Sequence, residues 1–115
     1  LNDPFPCTRS GFQKISFLVK AKEGTDFEAF FAHWLDVHVP NVRSTMLKVG
    51  GFRYCVSHSI NPESESFAGL AELYFPNNSG WEDYKKEIQP DGMEQWVDPQ
   101  GMLVLRAGTE MIGIP

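Results

Sequence analysis

The sequence is poor in cysteine, in clustered basic residues and in long apolar runs. Its two cysteines, Cys7 and Cys55, do not make a disulfide framework, so we expect a reducing, cytoplasmic location. Ten basic against fifteen acidic residues give a net charge of -5, and the basic residues are dispersed. This argues against nucleic acid or an anionic membrane surface as a partner. No apolar run approaches the ~20 residues of a membrane span, and no signal-peptide pattern is visible.

Sequence patterns for bound metals, phosphates and activated serines are also missing. The three histidines and two cysteines are not clustered at the spacing of a zinc site. The Gly50-Gly51 pair precedes a predicted strand rather than a helix, unlike a phosphate-binding loop. No nucleophile elbow is present. We therefore expect neither a metal nor a cofactor.

Length and composition indicate one compact domain. A chain of 115 residues that is 42% hydrophobic can bury a single core, and hardly two. Residues 1–12 contain two prolines, a glycine and no periodicity, so they are predicted to form an extended N-terminal arm. Residues 13–115 are predicted to form the single domain.

Apolar periodicity and helix-capping residues predict the order of the elements. A β-branched and aromatic run over residues 14–20 predicts a strand. Thr25 precedes Glu28 by three residues, a capping box that predicts a helix running to His38, before Pro40. A looser segment follows to Leu47, and strands are predicted over 52–58 and 67–75. Ser79 and Glu82 open a second helix, which Pro90 stops. A short helix capped near Asp91, which carries Trp96 and Val97 inward, and a strand over 102–112 complete the chain.

This order predicts an α+β fold. Two successive strand–helix–strand units are typical of a ferredoxin-like βαββαβ fold, with a four-stranded antiparallel sheet and helices on one face. Both sheet faces carry apolar residues: in the first strand, Phe17 and Val19 point to one side and Leu18 to the other. An apolar second face needs a cover, so we expect a homodimer.

An ionisable ring ends the apolar face of the first helix. At 100° per residue, Phe31, Trp34 and His38 share one side, flanked by Phe30 and Leu35. Imidazole titrates near neutral pH, so His38 at the edge of a core is a candidate for proton transfer. The alternative is a core histidine whose ring nitrogens are satisfied by neighbours. His33 points the other way and is predicted to lie on the surface.

Several of these residues resemble a known family. Phe30, Trp34, His38 and Pro40 form the pattern F-x-x-x-W-x-x-x-H-x-P, and Gly51-Phe52-Arg53-Tyr54 and Ala71-Glu72-Leu73-Tyr74-Phe75 follow it. Together they resemble the EthD-type branch of the dimeric α+β barrel superfamily, over roughly residues 14–112. The resemblance implies a cleft between sheet and helices that holds a flat organic molecule. It also implies a role for His38 and an acidic residue near Asp98.

A proton-transfer site needs a base, a group that orients it, and a donor where negative charge develops. We predict His38 as the base, Asp98 as its orienting carboxylate and Tyr54 as the donor. Asp98 directly precedes Pro99, so its alternative role is to start a turn. The alternative for Tyr54 is a core tyrosine bonded to backbone.

Other side chains are candidates for substrate contacts. His58 shares a strand face with Tyr54, although its place near the strand end also suits an exposed residue. Glu72 lies within an apolar strand, so it must be protonated or paired, with Arg53 or Arg106 as simple partners. Aromatic walls for a planar ligand are expected from Phe31, Trp34, Trp81, Tyr84 and Trp96.

These features predict a small, cofactor-independent enzyme that acts on an aromatic or polyketide-like intermediate. The expected step is proton abstraction next to a carbonyl, leading to dehydration, decarboxylation, cyclisation or isomerisation. One alternative is a ligand- or haem-binding module in which His38 ligates iron, or a haem- or quinol-type monooxygenase. Another is a non-catalytic protein that only dimerises.

Overall fold

The computed structural model of the protein describes residues 11–110. The predicted N-terminal arm therefore lies almost entirely outside the described residues, as does the end of the predicted last strand. The elements are β1 (Phe12–Val19), α1 (Phe27–His33), a π-helical turn (Trp34–His38), α2 (Val39–Val49), β2 (Arg53–His58), β3 (Gly69–Phe75), α3 (Asn78–Glu87), a 3₁₀ turn (Met93–Gln95) and β4 (Leu103–Thr109).

The four strands form one antiparallel sheet in the order β2-β3-β1-β4. Ile15 in β1 lies opposite Leu73 in β3 and opposite Arg106 in β4, so β1 is paired along both of its edges. Tyr54 in β2 lies opposite Leu73 from the other side. This is the α+β, ferredoxin-like βαββαβ topology that the element order predicts.

The core lies between the sheet and the helices. Alternate residues of β3 are buried, as expected for a strand with one covered face. The helices cover that face with aromatic rings, of which Phe30 and Trp34 are almost completely buried. Burial of each such ring stabilises the fold by roughly 1.5–3 kcal/mol. Leu35, expected beside them, is 51% exposed.

Within residues 11–110, no helix covers the opposite face of the sheet, which is partly apolar. Leu103 and Leu105 on β4 are 56% and 62% exposed. The register places Leu105 opposite Ser16, which also faces Glu72 on β3. Glu72 forms an ion pair with Lys14 on this face, with 2.9 Å between Nζ and Oε2. The prediction of two apolar faces is confirmed. Glu72 pairs with Lys14 rather than with Arg53 or Arg106, and its contact with a substrate stays a prediction.

The first helix does not end at Pro40. The chain stays helical from Phe27 to Val49, through a π-helical turn in which the Val39 N–H donates to the Trp34 carbonyl. Proline clashes with the carbonyl four residues earlier in a regular helix. In this chain Pro40 stands in the first turn of α2, directly after the wider π turn, and is accommodated there. The predicted stop was therefore wrong.

The helix starts are shifted slightly from the predicted caps. Asp26, not Thr25, caps α1, since its carboxylate accepts a hydrogen bond from the Ala29 N–H. Asn77, not Ser79, caps α3 by accepting from the Gly80 N–H. In each case a residue one or two positions before or after the predicted one supplies the same interaction.

Candidate active site

A cavity of about 430 Å³ lies between the sheet and the helices. Its walls are mostly apolar, and a few polar side chains stand among them. The strands supply Phe17, Val19, Tyr54, Ala71 and Leu73, and the helices supply Trp34, His38, Val42, Trp81 and Tyr84. A mostly apolar hollow with few convergent polar groups is typical of a small-molecule site.

His38 meets a carboxylate at the wall of this cavity. Its Nδ1 lies 2.6 Å from Oδ2 of Asp91, and the two side chains are 24% and 10% exposed. A carboxylate only accepts hydrogen bonds, so the proton lies on Nδ1 and the lone pair of the neutral ring lies on Nε2. Nε2 is thus the ring atom available to a molecule in the cavity.

Asp91 is held in place by several donors. The Asn41 amide donates to Oδ2 at 2.8 Å, and the Met93 N–H donates to Oδ1 at 3.3 Å. The ring of His33 donates from Nε2 to the Asp91 carbonyl at 2.8 Å. Burial favours the neutral carboxyl, but the hydrogen bonds from Asn41 and His38 outweigh it and lower the pKa of Asp91. The carboxylate therefore stays charged at neutral pH.

The structure corrects the predicted roles of two residues. Asp98 does not meet His38: its carboxylate accepts from the Gln100 N–H at 3.0 Å, within the turn that leads to β4. The carboxylate that contacts His38 is that of Asp91, not that of Asp98. His33 is not a free surface residue either, since its ring packs 4.6 Å from that of Trp96 and bonds the Asp91 backbone.

Tyr54 extends from β2 into the same cavity. Its hydroxyl is buried, as is the indole nitrogen of Trp34, and neither atom has surface exposed to the cavity. Burial raises the pKa of Tyr54 to about 12, while a hydrogen bond from the Trp34 indole N–H acts in the opposite direction. The two polar groups are thus neighbours within the wall of the cavity.

Tyr84 reaches the cavity from α3, stacked on Trp81 with ring centroids 5.7 Å apart. Burial is the main cause that raises its pKa, and the nearby Tyr54 and the negative charge of Asp91 add to it. Both tyrosines therefore remain protonated at neutral pH and can donate hydrogen bonds.

Three other predicted substrate contacts lie one layer behind the cavity. Phe31 and His58 stack with centroids 4.1 Å apart, and His58 also packs 4.7 Å from Trp34. Burial lowers the pKa of His58, which favours the neutral ring. Trp96 stacks on Phe30 at 5.8 Å. Phe31, His58 and Trp96 support Trp34 and Phe30 rather than line the cavity, whereas Trp34 and Trp81 line it as expected.

Sequence reasoning missed Asp91, Asn41 and His33. Asp91 was predicted only as the cap of a short helix; in the structure Gly92 is the cap residue, and the Asp91 carboxylate accepts from the Met93 N–H. Its contact with His38 spans 53 positions in the sequence, so no local pattern could reveal it. Within the described range, no group of three or more His, Cys, Asp or Glu residues is arranged to hold a metal ion. Nor does any helix there combine the length and apolarity needed to cross a bilayer.

The EthD domain matches residues 22–100, which include His38, Tyr54 and Asp91. This is most of the chain. The protein belongs to the EthD family. The family resemblance of the helical motif is therefore confirmed. No curated protein matches this EthD chain.

Solved structures similar to this EthD protein share its fold at low identity. A dimeric ferredoxin-like protein from an uncultured marine organism is 14% identical, with a TM-score of 0.61 over 90% of this chain and 98% of its own. An EthD family protein from Bacillus halodurans is 19% identical, with a TM-score of 0.55 over 87% and 99%. A DABB family protein from Mesorhizobium loti is 12% identical, with a TM-score of 0.53 over 84% of this chain and 95% of its own. These likenesses establish the ferredoxin-like fold.

Proposed function

We propose that this EthD protein is a small enzyme that uses His38 as a general acid/base on an aromatic or polyketide-like molecule. The observation that carries the proposal is the 2.6 Å contact between His38 Nδ1 and Asp91 Oδ2 at the wall of a mostly apolar cavity of about 430 Å³. Such a contact fixes the tautomer of the ring and stabilises its cation. The apolar walls suit a flat, weakly polar substrate.

The proposed step begins with loss of a proton from the carbon next to a carbonyl. His38 Nε2 takes this proton, and the imidazolium that forms is stabilised by Asp91. The electron pair of the broken C–H bond moves into an enolate, whose oxygen accepts a hydrogen bond from Tyr54. The imidazolium then returns the proton to another carbon in an isomerisation, or to a leaving hydroxide in a dehydration. Decarboxylation and cyclisation use the same enolate stabilisation.

Proton exchange into a simple cyclic ketone tests this proposal. We expect the wild-type protein to accelerate deuterium uptake at the α-carbons of 2-tetralone in D2O, followed by ¹H NMR. His38→Gln should reduce the rate at least about tenfold, because a positioned base contributes roughly a hundred- to ten-thousandfold. Circular dichroism confirms that the variant is folded. Equal rates for the folded variant and the wild type would contradict the proposal.

A haem-binding module is the second candidate. A histidine that donates its other ring N–H to a carboxylate is also typical of metal-ligating histidines, so the contact with Asp91 favours this function as well. Haemin titration distinguishes the two candidates. A stoichiometric shift of the Soret band that His38→Ala abolishes would favour haem binding, whereas no shift favours the acid/base enzyme.

We also propose that the protein forms a homodimer through the open face of the sheet. Leu103 and Leu105 are more than half exposed on that face, beside the Lys14–Glu72 ion pair. Exposed apolar patches of this kind favour association with a partner. The similar ferredoxin-like protein from the marine organism is dimeric. A cytoplasmic location remains a prediction from the low cysteine content.

A further inference from the structure

Two histidines of one helical segment contact the same aspartate. His38 donates from Nδ1 to the Asp91 carboxylate at 2.6 Å, and His33 donates from Nε2 to the Asp91 backbone carbonyl at 2.8 Å. Asp91 itself lies between α3 and the 3₁₀ turn, in a segment that is neither helix nor strand. Contacts from side chains therefore help to fix the place of its backbone as well as that of its carboxylate.

The π-helical turn between the two histidines allows both of them to reach Asp91. In a regular α-helix, residues five positions apart point about 140° away from each other. His33 would then face away from Asp91 when His38 faces it, which is why the sequence pattern predicted a surface position for His33. The hydrogen bond from the Val39 N–H to the Trp34 carbonyl closes a wider turn over these same positions. Both rings thereby come to the same side of the helical segment and meet Asp91.

The chain next to Asp91 leaves room for the ring of His33. Gly92 has a φ of 93°, in the left-handed region that favours glycine. A Cβ atom there would lie 3.3 Å from Cε1 and 3.5 Å from Nε2 of His33, so the absence of a side chain also permits the close approach. The ring of His33 packs with its centroid 4.6 Å from that of Trp96. The ring is thus held where its N–H meets the Asp91 carbonyl.

We propose that His33 is a positioning residue that acts through the backbone of Asp91 and holds the Asp91 carboxylate against His38. His33 does not line the cavity, so it acts on a bound molecule only through Asp91. The inference rests on the proposed function for the reaction that this arrangement serves. Short π-helical turns occur frequently at functional sites, and in this chain the turn joins the base to the group that positions its carboxylate.

Two substitutions separate the hydrogen bond of His33 from the packing of its ring. Phenylalanine keeps a ring beside Trp96 but has no donor, whereas the side-chain amide of glutamine can donate. We expect His33→Phe to lower kcat for 2-tetralone exchange about fivefold with KM unchanged, the equivalent of one hydrogen bond. His33→Gln should restore most of the wild-type kcat. Circular dichroism confirms that both variants are folded. Equal losses in the two variants, or no loss in His33→Phe, would overturn the inference.

The proton between His38 and Asp91 gives a measurement that needs no catalytic activity. In protein with ¹⁵N-labelled histidine, the Nδ1–H resonance of His38 is assigned by its loss in His38→Gln. We expect it far downfield in the wild type, because the proton lies in a short bond to a carboxylate. It should move upfield in His33→Phe and keep its position in His33→Gln. An unmoved resonance in His33→Phe would overturn the inference. The expected shifts in a protein that exchanges no deuterium would contradict the proposed function and leave the positioning role of His33 supported.

Discussion

At the scale of single residues, the site depends on how the Asp91 carboxylate is held. Asn41 donates through one amide nitrogen to Asp91 Oδ2 and to the Gln89 carbonyl, each at 2.8 Å. It therefore ties α2 to the segment that carries Asp91. Asn41 does not line the cavity, so it acts through Asp91 as a positioning residue.

Removing this amide should impair catalysis with little change in substrate affinity. We expect Asn41→Ala to lower kcat for 2-tetralone exchange about fivefold, comparable to the loss of one hydrogen bond, with KM unchanged. Ser44→Ala, an exposed change on the same helix, is the control. A purely structural role would alter the melting temperature and leave kcat of the folded protein at the wild-type value.

The Asp91 carboxylate should also contribute to stability in a pH-dependent way. Its pKa is lower in the folded protein than in the unfolded chain, so the folded state favours the charged form. The contribution is present above the ordinary carboxyl pKa of about 3.9 and is lost as the pH falls through the lower folded value. Urea unfolding is measured from pH 7 to pH 2.5. The difference in free energy of unfolding between wild type and Asp91→Asn should disappear below about pH 4. A difference that is constant over this range would contradict the assignment.

At the scale of elements, the π-helical turn and β3 meet closely. The Trp34 ring passes over Gly69, and a Cβ there would also lie 2.8 Å from the Ser57 carbonyl of β2. Real Cβ atoms do not approach backbone oxygen so closely, so the strands would have to shift. This contact connects the sheet to the turn that holds both Trp34 and His38.

Substituting the glycine should therefore weaken the fold at this junction. We expect Gly69→Ala to lower the free energy of unfolding by about 1–3 kcal/mol, the range for overpacked sites. Gly108→Ala on β4 is the matched control, because nothing lies within 4 Å of its added Cβ. Urea denaturation of both variants gives the comparison. Equal stabilities would show that β3 moves away from Trp34 without strain.

The same elements show how far sequence reasoning reaches. Strands follow from apolar and β-branched runs, and β3, predicted over 67–75, is observed over Gly69–Phe75. The path beyond Pro40 could not be predicted, because a 3.6-residue period does not anticipate a π-helical turn. His38 and Tyr54 were found because each lies on a periodic face that points inward. Asp91 was not identified from the sequence, because it lies in a loop whose position depends on long-range contacts with Asn41 and His33.

At the scale of the whole molecule, the open sheet face sets the expected assembly. Leu105→Asp should convert the proposed homodimer into a monomer, because a charge in an apolar interface loses its hydration without gaining a partner. Leu47→Asp is the control, since Leu47 is 72% exposed but lies on α2 and not on the open face of the sheet. Sedimentation equilibrium measures both variants. A dimeric Leu105→Asp protein would place the interface elsewhere.

The proposed function requires that Asp91 orient His38 as a base facing the cavity. Deuterium exchange into 2-tetralone, compared between Asp91→Asn and Asp98→Asn, tests it most directly, because only one of these carboxylates meets the ring. We expect Asp91→Asn to lose at least about tenfold in rate, since an amide does not stabilise the imidazolium as a carboxylate does. Asp98→Asn should retain the wild-type rate, because an asparagine oxygen can still accept from the Gln100 N–H. Equal rates for the two variants would contradict the claim.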